Sequence, residues 1–119
     1  HAGDAVLRHF AQLVPQVLRR DDGFGRVGGE EFLLVVRGAE APDLNRLLLR
    51  LLDLVRQSTP LAQHPALRYT VSAGVTRVFA GDDPKHVYRQ ADAALYQAKA
   101  QGRDRLCWHD SARGGRSWP

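Results

Sequence analysis

The stretch Gly23-Phe24-Gly25-Arg26-Val27-Gly28-Gly29-Glu30-Glu31-Phe32-Leu33-Leu34-Val35-Val36 places four glycines ahead of a continuous apolar run. Five apolar residues, Phe32 to Val36, bounded by a glycine-rich and acidic segment predict a strand buried on both faces. The glycine pair before them can supply the positive φ of a tight reversal, so the segment reads as a hairpin with its turn near Gly28 and Gly29. Gly23 to Gly28 also spells G-x-G-x-x-G. As a dinucleotide fingerprint that match is empty, because the motif needs a strand before it and a helix after it, and here a strand follows. A kinase-type glycine loop does sit in a hairpin, but it needs a lysine on the next strand, and Phe32 to Val36 holds none.

Working outward, Val6, Leu7, Phe10, Leu13, Val14, Val17 and Leu18 recur at spacings of three and four, which predicts an amphipathic helix that Pro15 should kink. After the hairpin, Leu44, Leu47, Leu48, Leu51, Leu52 and Val55 mark a second helix, with Pro42 in its first turn and Arg46, Arg50, Asp53 and Arg56 on the wet face. Tyr69, Val71, Ala73 and Val75 alternate with Thr70, Ser72, Gly74 and Thr76, the period of a strand with unlike faces. Asp83 suits the cap of a third helix and Pro84 its first position; Val87, Tyr88, Ala91, Ala94, Leu95 and Ala98 make its apolar face, and Gly102 closes it. Leu106 to Trp108 read as a short last strand, and 111–119 as a flexible tail outside a domain spanning 1–110. Helix, strand, strand, helix, strand, helix, strand is an α/β (α+β) sandwich, with helices on a mixed or antiparallel sheet. A leading strand would complete the βαββαβ of a ferredoxin-like fold; the chain lacks one.

The 119 residues, 44% hydrophobic and 25% charged, bound the answer to one globular domain. No apolar run nears the roughly 18 residues of a membrane span and no signal peptide opens the chain, so a cytoplasmic protein without a membrane partner is expected. One cysteine, Cys107, excludes internal disulfides and thiolate metal clusters. The five histidines lack metal-site spacing, and no serine sits on a nucleophile elbow. Methionine is absent and the chain opens on His1, which predicts a piece of a longer product with the remainder upstream. The net charge of +4 invites a polyanion, but Arg113 and Arg116 supply half of it and the other arginines are scattered, which argues against a nucleic-acid partner.

Glu30 and Glu31, two of three glutamates, stand directly after two glycines. Glycines let a backbone approach a ligand, and paired carboxylates are hard oxygen ligands for Mg²⁺. A solvated hairpin tip with two surface glutamates accounts for the same residues. The surrounding pattern resembles the GGDEF domain family, the diguanylate cyclases. Gly28-Gly29-Glu30-Glu31-Phe32 is similar to its signature in the GGEEF form. Matching stretches follow in order: Gly3-Asp4 with Leu7, Arg26, Thr70 to Val75, Ala91-Asp92-Ala93-Ala94-Leu95-Tyr96-Gln97-Ala98-Lys99, and Gly102-Arg103-Asp104-Arg105. The resemblance covers about residues 3 to 108 and implies a nucleotidyl-cyclase-like fold.

It further implies that two GTP molecules are joined into cyclic di-GMP across a homodimer, with Mg²⁺ or Mn²⁺ as cofactor and an upstream sensor or regulatory domain. By similarity Glu30 binds the metal and helps deprotonate the attacking hydroxyl, and Glu31 takes the second carboxylate position. Gly28 and Gly29 admit the nucleotide, Asp4 hydrogen-bonds guanine, and Lys99 and Arg103, four apart on or just beyond one helix, reach the triphosphate. For that last pair the spacing argues independently, since residues four apart share a helix face and two cations there suit a polyphosphate. A solvated helix end against the dipole is the alternative. Arg19-Arg20-Asp21-Asp22 carries R-x-x-D five residues before the signature. It resembles the family's inhibitory cyclic di-GMP site, Arg19 and Asp22, with Arg46 or Arg50 as a possible neighbour; a charged helix terminus with local salt bridges is its alternative.

Several features depart from the family. The first strand with its metal-binding Asp and the following Asn are missing, His1 stands one residue short of the family's His and has no assigned role, and Asp104 replaces the usual Asn. Two function classes therefore remain: a cyclase module whose 119 residues alone turn over little GTP, or a degenerate domain that binds cyclic di-GMP or a protein partner. Without the first strand, two apolar strands lack a shared partner, and the exposed edges predict that the piece oligomerises, pairs those strands directly, or is only part of the folded unit.

Overall fold

The computed structural model describes residues 2–109. His1 and the tail expected at 111–119 lie outside them. The chain divides into two compact units, the first ending at Tyr69 and the second beginning at Thr70.

The first unit opens with helix α1, Ala2–Leu13, which does not kink at Pro15 but ends before it. Proline has no N–H to give the carbonyl four residues back. The chain tightens instead into a 3-10 turn, Val14–Gln16, where Val17 and Leu18 both donate to the Val14 carbonyl at 3.0 and 3.2 Å. The Val14 side chain is fully buried there. The hairpin forms as expected: β1, Gly23–Gly28, runs antiparallel to β2, Glu31–Val35, from Gly23 opposite Val35 to Gly28 opposite Glu31. A register shift between Arg26 and Gly28 leaves Val27 as a bulge.

The expectation that this apolar strand is buried on both faces is not met. Leu33 and Val35 are 44% and 45% exposed, while Phe32 and Leu34 are half-buried. Among the described residues β2 pairs only with β1, and alternate side chains of a strand covered on one face must look outward. Helix α2, Ala41–Gln57, has Pro42 in its first turn and buries Leu48, Leu51, Leu52 and Val55 along one stripe. Arg46, Arg50, Asp53 and Arg56 take the exposed face.

In the second unit, β3, Ala73–Val75, lies parallel to β4, Leu106–Trp108, and helix α3, Pro84–Ala100, makes the crossover. The strand expected from Tyr69 to Thr76 thus shrinks to three residues. Only three have a ladder partner in the equally short β4, and the bonds Ala73 N to Arg105 O (2.9 Å) and His109 N to Val75 O (2.7 Å) close its ends. Among the described residues the strands of the expected mixed or antiparallel sheet form two ladders, one antiparallel and one parallel. Helices with small sheets remain the α+β class that the pattern predicts.

Both ends of α3 follow local chemistry. The Asp83 carboxylate accepts from the Lys85 N–H at 3.0 Å, Pro84 takes the first helical position, and a Schellman closure ends the helix. There Gly102, at φ +122°, donates to Lys99 O (3.3 Å) and Arg103 donates to Ala98 O (2.9 Å). Gly74 is where α3 rests on β3: a Cβ there would stand 2.8 Å from the Leu95 Cα and closer still to the Ala91 carbonyl oxygen and Leu95 nitrogen. Ala94 and Ala98 are buried on the same helix, their small side chains suited to a close approach.

Candidate functional site

The signature turn is built by three local devices. The Val27 bulge offsets the two strands, Gly29 adopts φ +51°, which L side chains rarely take, and Glu30 follows at the exposed tip. Arg26 reaches across: its Nε donates to the Gly29 carbonyl at 2.9 Å, and a terminal guanidinium nitrogen donates to the same oxygen. Glu31 opens β2 half-buried. Gly28 is different in kind, because its φ is ordinary and a Cβ there would meet nothing within 4 Å among the described residues. The fold does not require glycine at 28.

Aromatic packing holds the hairpin to α1. The Phe10 ring, 9% exposed, meets Phe32 at 5.1 Å and Phe24 at 6.2 Å edge-on, and Phe24 stacks on Phe32 at 5.4 Å. Such pairs contribute about 1 kcal/mol each beyond area burial, so the tip is carried on a packed base. Asp4 lies exposed in the first turn of α1, where a carboxylate interacts favourably with the helix dipole.

Arg19 and Asp22 do come together, but not as two free ligands. The Asp22 side chain is fully buried; its Oδ2 accepts from the Arg19 N–H at 2.8 Å and its Oδ1 from the Arg37 N–H at 3.3 Å. The Arg19 guanidinium, 58% exposed, stands 3.7 Å from the same carboxylate and donates to the Arg37 carbonyl. Asp22 therefore joins the segment after the 3-10 turn to the residues that follow β2. Arg37 was not among the residues singled out in the sequence, and its proximity to Asp22 across 15 positions follows from the hairpin register alone.

In the second unit Lys99 is exposed in the last turn of α3. Of the two placements expected for Arg103, on the helix or just beyond it, the second is found: α3 ends at Ala100 and Arg103 lies past the closure at φ +64°, off the helix face that carries Lys99. Asp104 follows at φ +52°, its N–H held by the Ser72 hydroxyl at 3.1 Å. Asp and Asn are the non-glycine residues that best tolerate this region, so the Asp at 104 is compatible with the backbone where a branched side chain would not be.

A further pair escaped the sequence reading. Tyr69 places its hydroxyl 2.7 Å from His9 Nδ1 on α1, ring edge to face, and also hydrogen-bonds the Ser58 side chain. Burial pushes the Tyr69 phenol up to about 12, with the Ser58 bond opposing part of that rise. Sixty residues separate the partners, and no local signal announces them.

The donor chemistry at the turn suits Mg²⁺, which keeps several waters and takes one or two carboxylates together with substrate phosphates. Glu30 and Glu31 are such a pair, and Arg26 forms no ion pair with either among the described residues. No cluster of three acidic, histidine or cysteine side chains gathers there among the described residues. No helix is long and apolar enough to cross a membrane among them.

Comparison with known proteins places this geometry. Residues 1–105 match the family described as "Diguanylate cyclase, GGDEF domain". A diguanylate cyclase of Vibrio cholerae is 36% identical over 110 residues, covering 88% of this chain and 32% of the relative. Across curated relatives the chain spans 16% to 36% of their length. The active GGEEF domain of a diguanylate cyclase from Vibrio cholerae superposes with a TM-score of 0.79 at 33% identity, covering 90% of this chain and 68% of that one. The GGDEF domain of DgcB from Caulobacter crescentus, in complex with c-di-GMP, gives 0.82 at 28% identity, covering 92% and 66%. With the signature turn, its strands and the order of the helices all in agreement, the chain belongs to the GGDEF domain family of diguanylate cyclases.

Proposed function

We propose that residues 1–110 form a domain that condenses two molecules of GTP into cyclic di-GMP, acting with a second copy of itself and under an attached regulatory domain. One observation carries the reading: Gly28 is a glycine for which the fold has no need, in a turn that displays Glu30 at its tip. Open space over Gly28 is where a nucleotide can approach the backbone. Glu30 and Glu31 would hold Mg²⁺ or Mn²⁺, and Asp4 would accept from a guanine edge. Bound there, the metal supplies Lewis acidity at the α-phosphate and neutralises phosphate charge.

The chain's own residues do the rest. Glu30 takes the proton of a 3′-hydroxyl as that oxygen attacks the α-phosphorus of the other GTP, and the P–O bond to the β-phosphate breaks to release pyrophosphate. Repeating the step in the opposite sense closes the ring. Lys99 and Arg103, exposed cations at and beyond the end of α3, would bind the triphosphate and the departing pyrophosphate. Arg19 and Asp22 form the proposed inhibitory product site. The exposed Arg19 guanidinium supplies ligand contacts there, while Asp22 is committed to main-chain donors and keeps that guanidinium in place.

The test is GTP titration with Mg²⁺ against the chain and its Lys99→Ala and Arg103→Ala variants, alongside detection of cyclic di-GMP from the chain and Glu30→Gln. Each cation variant should bind at least about tenfold more weakly. Equal affinity in both would reject the triphosphate assignment. A second reading, a cyclic di-GMP receptor without turnover, is favoured by the exposed Arg19 guanidinium held beside the buried Asp22 carboxylate. Binding of cyclic di-GMP that Arg19→Ala abolishes, with no product formed by a chain extended upstream through the family's first strand, would select it.

A further inference from the structure

We propose that Arg26 is a positioning residue for the carboxylate-bearing turn, its guanidinium clasping the tip and so setting where Glu30 is presented. The last ladder pair is Gly28 with Glu31, so Gly29 and Glu30 lie outside the strand hydrogen bonding. Such a tip is loose by nature, because glycine carries the largest conformational freedom of any residue. Two donors of Arg26, Nε and a terminal nitrogen, converge on the Gly29 carbonyl, the group immediately before Glu30. The clasp closes over the Val27 bulge, which carries the chain from Arg26 to the turn with one residue more than the opposite strand provides.

The same guanidinium pairs with no carboxylate among the described residues. Arg26 therefore orients the turn without an ion pair to Glu30 or Glu31, which leaves both carboxylates available to a cation. A lysine cannot reproduce this, since its single ammonium lacks the planar fork that brings two N–H groups to one side. The consequence for the metal rests on the proposed function; the clasp itself does not.

Nitrogen-15 relaxation and side-chain hydrogen exchange on the chain test it. In the wild type the Arg26 Nε–H should exchange at least about tenfold more slowly than that of the exposed Arg50, and the Gly29 and Glu30 amides should show order parameters near those of rigid backbone, about 0.85. In Arg26→Ala those two amides should fall below about 0.6, with Arg26→Lys between. Mn²⁺ is the metal probe: its paramagnetic broadening should centre on Glu30 and Glu31, vanish in Glu30→Gln, and need at least about threefold more Mn²⁺ in Arg26→Ala. An unprotected Nε–H together with an equally ordered turn in Arg26→Ala overturns the proposal. Broadening that ignores Glu30→Gln would refute the metal assignment alone, and exchange and turn order still decide the clasp. Should Arg26→Ala fail to fold, the wild-type exchange rate and Arg26→Lys decide it.

Discussion

Gly74→Ala concentrates the packing logic of the second unit in one methyl group. The added Cβ would lie 2.8 Å from the Leu95 Cα and nearer to two further backbone atoms of α3, at Ala91 and Leu95. Ordinary carbon contact is about 3.8 Å, so α3 would have to retreat by about 1 Å. None of these atoms can rotate away, as the end of a flexible side chain could. Retreat would loosen the buried Ala94 and Ala98 and part β3 from the helix across its whole three-residue length. Overpacking of a core costs about 1–3 kcal/mol, and a clash with rigid backbone belongs at the upper end, about 3 kcal/mol. With a urea slope of about 1.5 kcal/mol per molar, the unfolding midpoint should drop by about 2 M. Gly25→Ala is the control, because its Cβ would meet nothing within 4 Å and its φ is not positive; it should change stability by less than about 0.5 kcal/mol. Urea denaturation followed by circular dichroism reads both. A Gly74→Ala midpoint within about 0.5 M of wild type would refute the close approach of α3 to β3.

Three other outcomes are expected. Asp22→Ala should lower stability by about 1.5 kcal/mol, because its buried carboxylate satisfies the Arg19 and Arg37 N–H groups, whereas Arg19→Ala should cost under about 0.5 kcal/mol; parallel urea titrations separate them. For Tyr69, a folded value raised from 10.0 to about 12 means that its contribution is complete below pH 10 and is lost as pH rises from 10 to about 12. The stability advantage of wild type over Tyr69→Phe should therefore be constant below pH 10 and shrink above it, and an advantage that stays flat to pH 11.5 would contradict the buried phenol. Asp104→Asn should leave stability within about 0.5 kcal/mol, since Asn tolerates the same left-handed backbone, and should tighten GTP binding by removing a negative charge beside Arg103; equal or weaker binding would mean that Asp104 does not face the phosphates.

Legibility followed the range of the interaction. Asp83, Pro84 and Gly102 announced both ends of α3, because capping and closure are settled by hydrogen bonds and φ values within a few residues. Gly29, which takes φ +51° at the tip, announced the turn for the same reason. Pro15 announces a disruption but not its form, since whether a helix kinks or ends at a proline depends on what packs on the far side. Gly102 likewise puts Arg103 just beyond the helix, so the four-residue spacing from Lys99 does not translate into a shared helix face.

By itself, then, the sequence determined the α+β class, the hairpin that bears Glu30 and Glu31, and the family, all of which are written in residues near one another along the chain. Tertiary structure alone decided that Leu33 and Val35 face outward, that Asp22 is buried on main-chain donors from Arg19 and Arg37, and that Tyr69 meets His9. It also decided that Gly74 has no room for a methyl group. Apart from the Arg19 bond, three residues away, each depends on which surfaces meet after the chain has closed a loop, of 15 residues for Asp22 with Arg37 and 60 for Tyr69 with His9, and hydrophobic period and turn chemistry carry no record of that meeting.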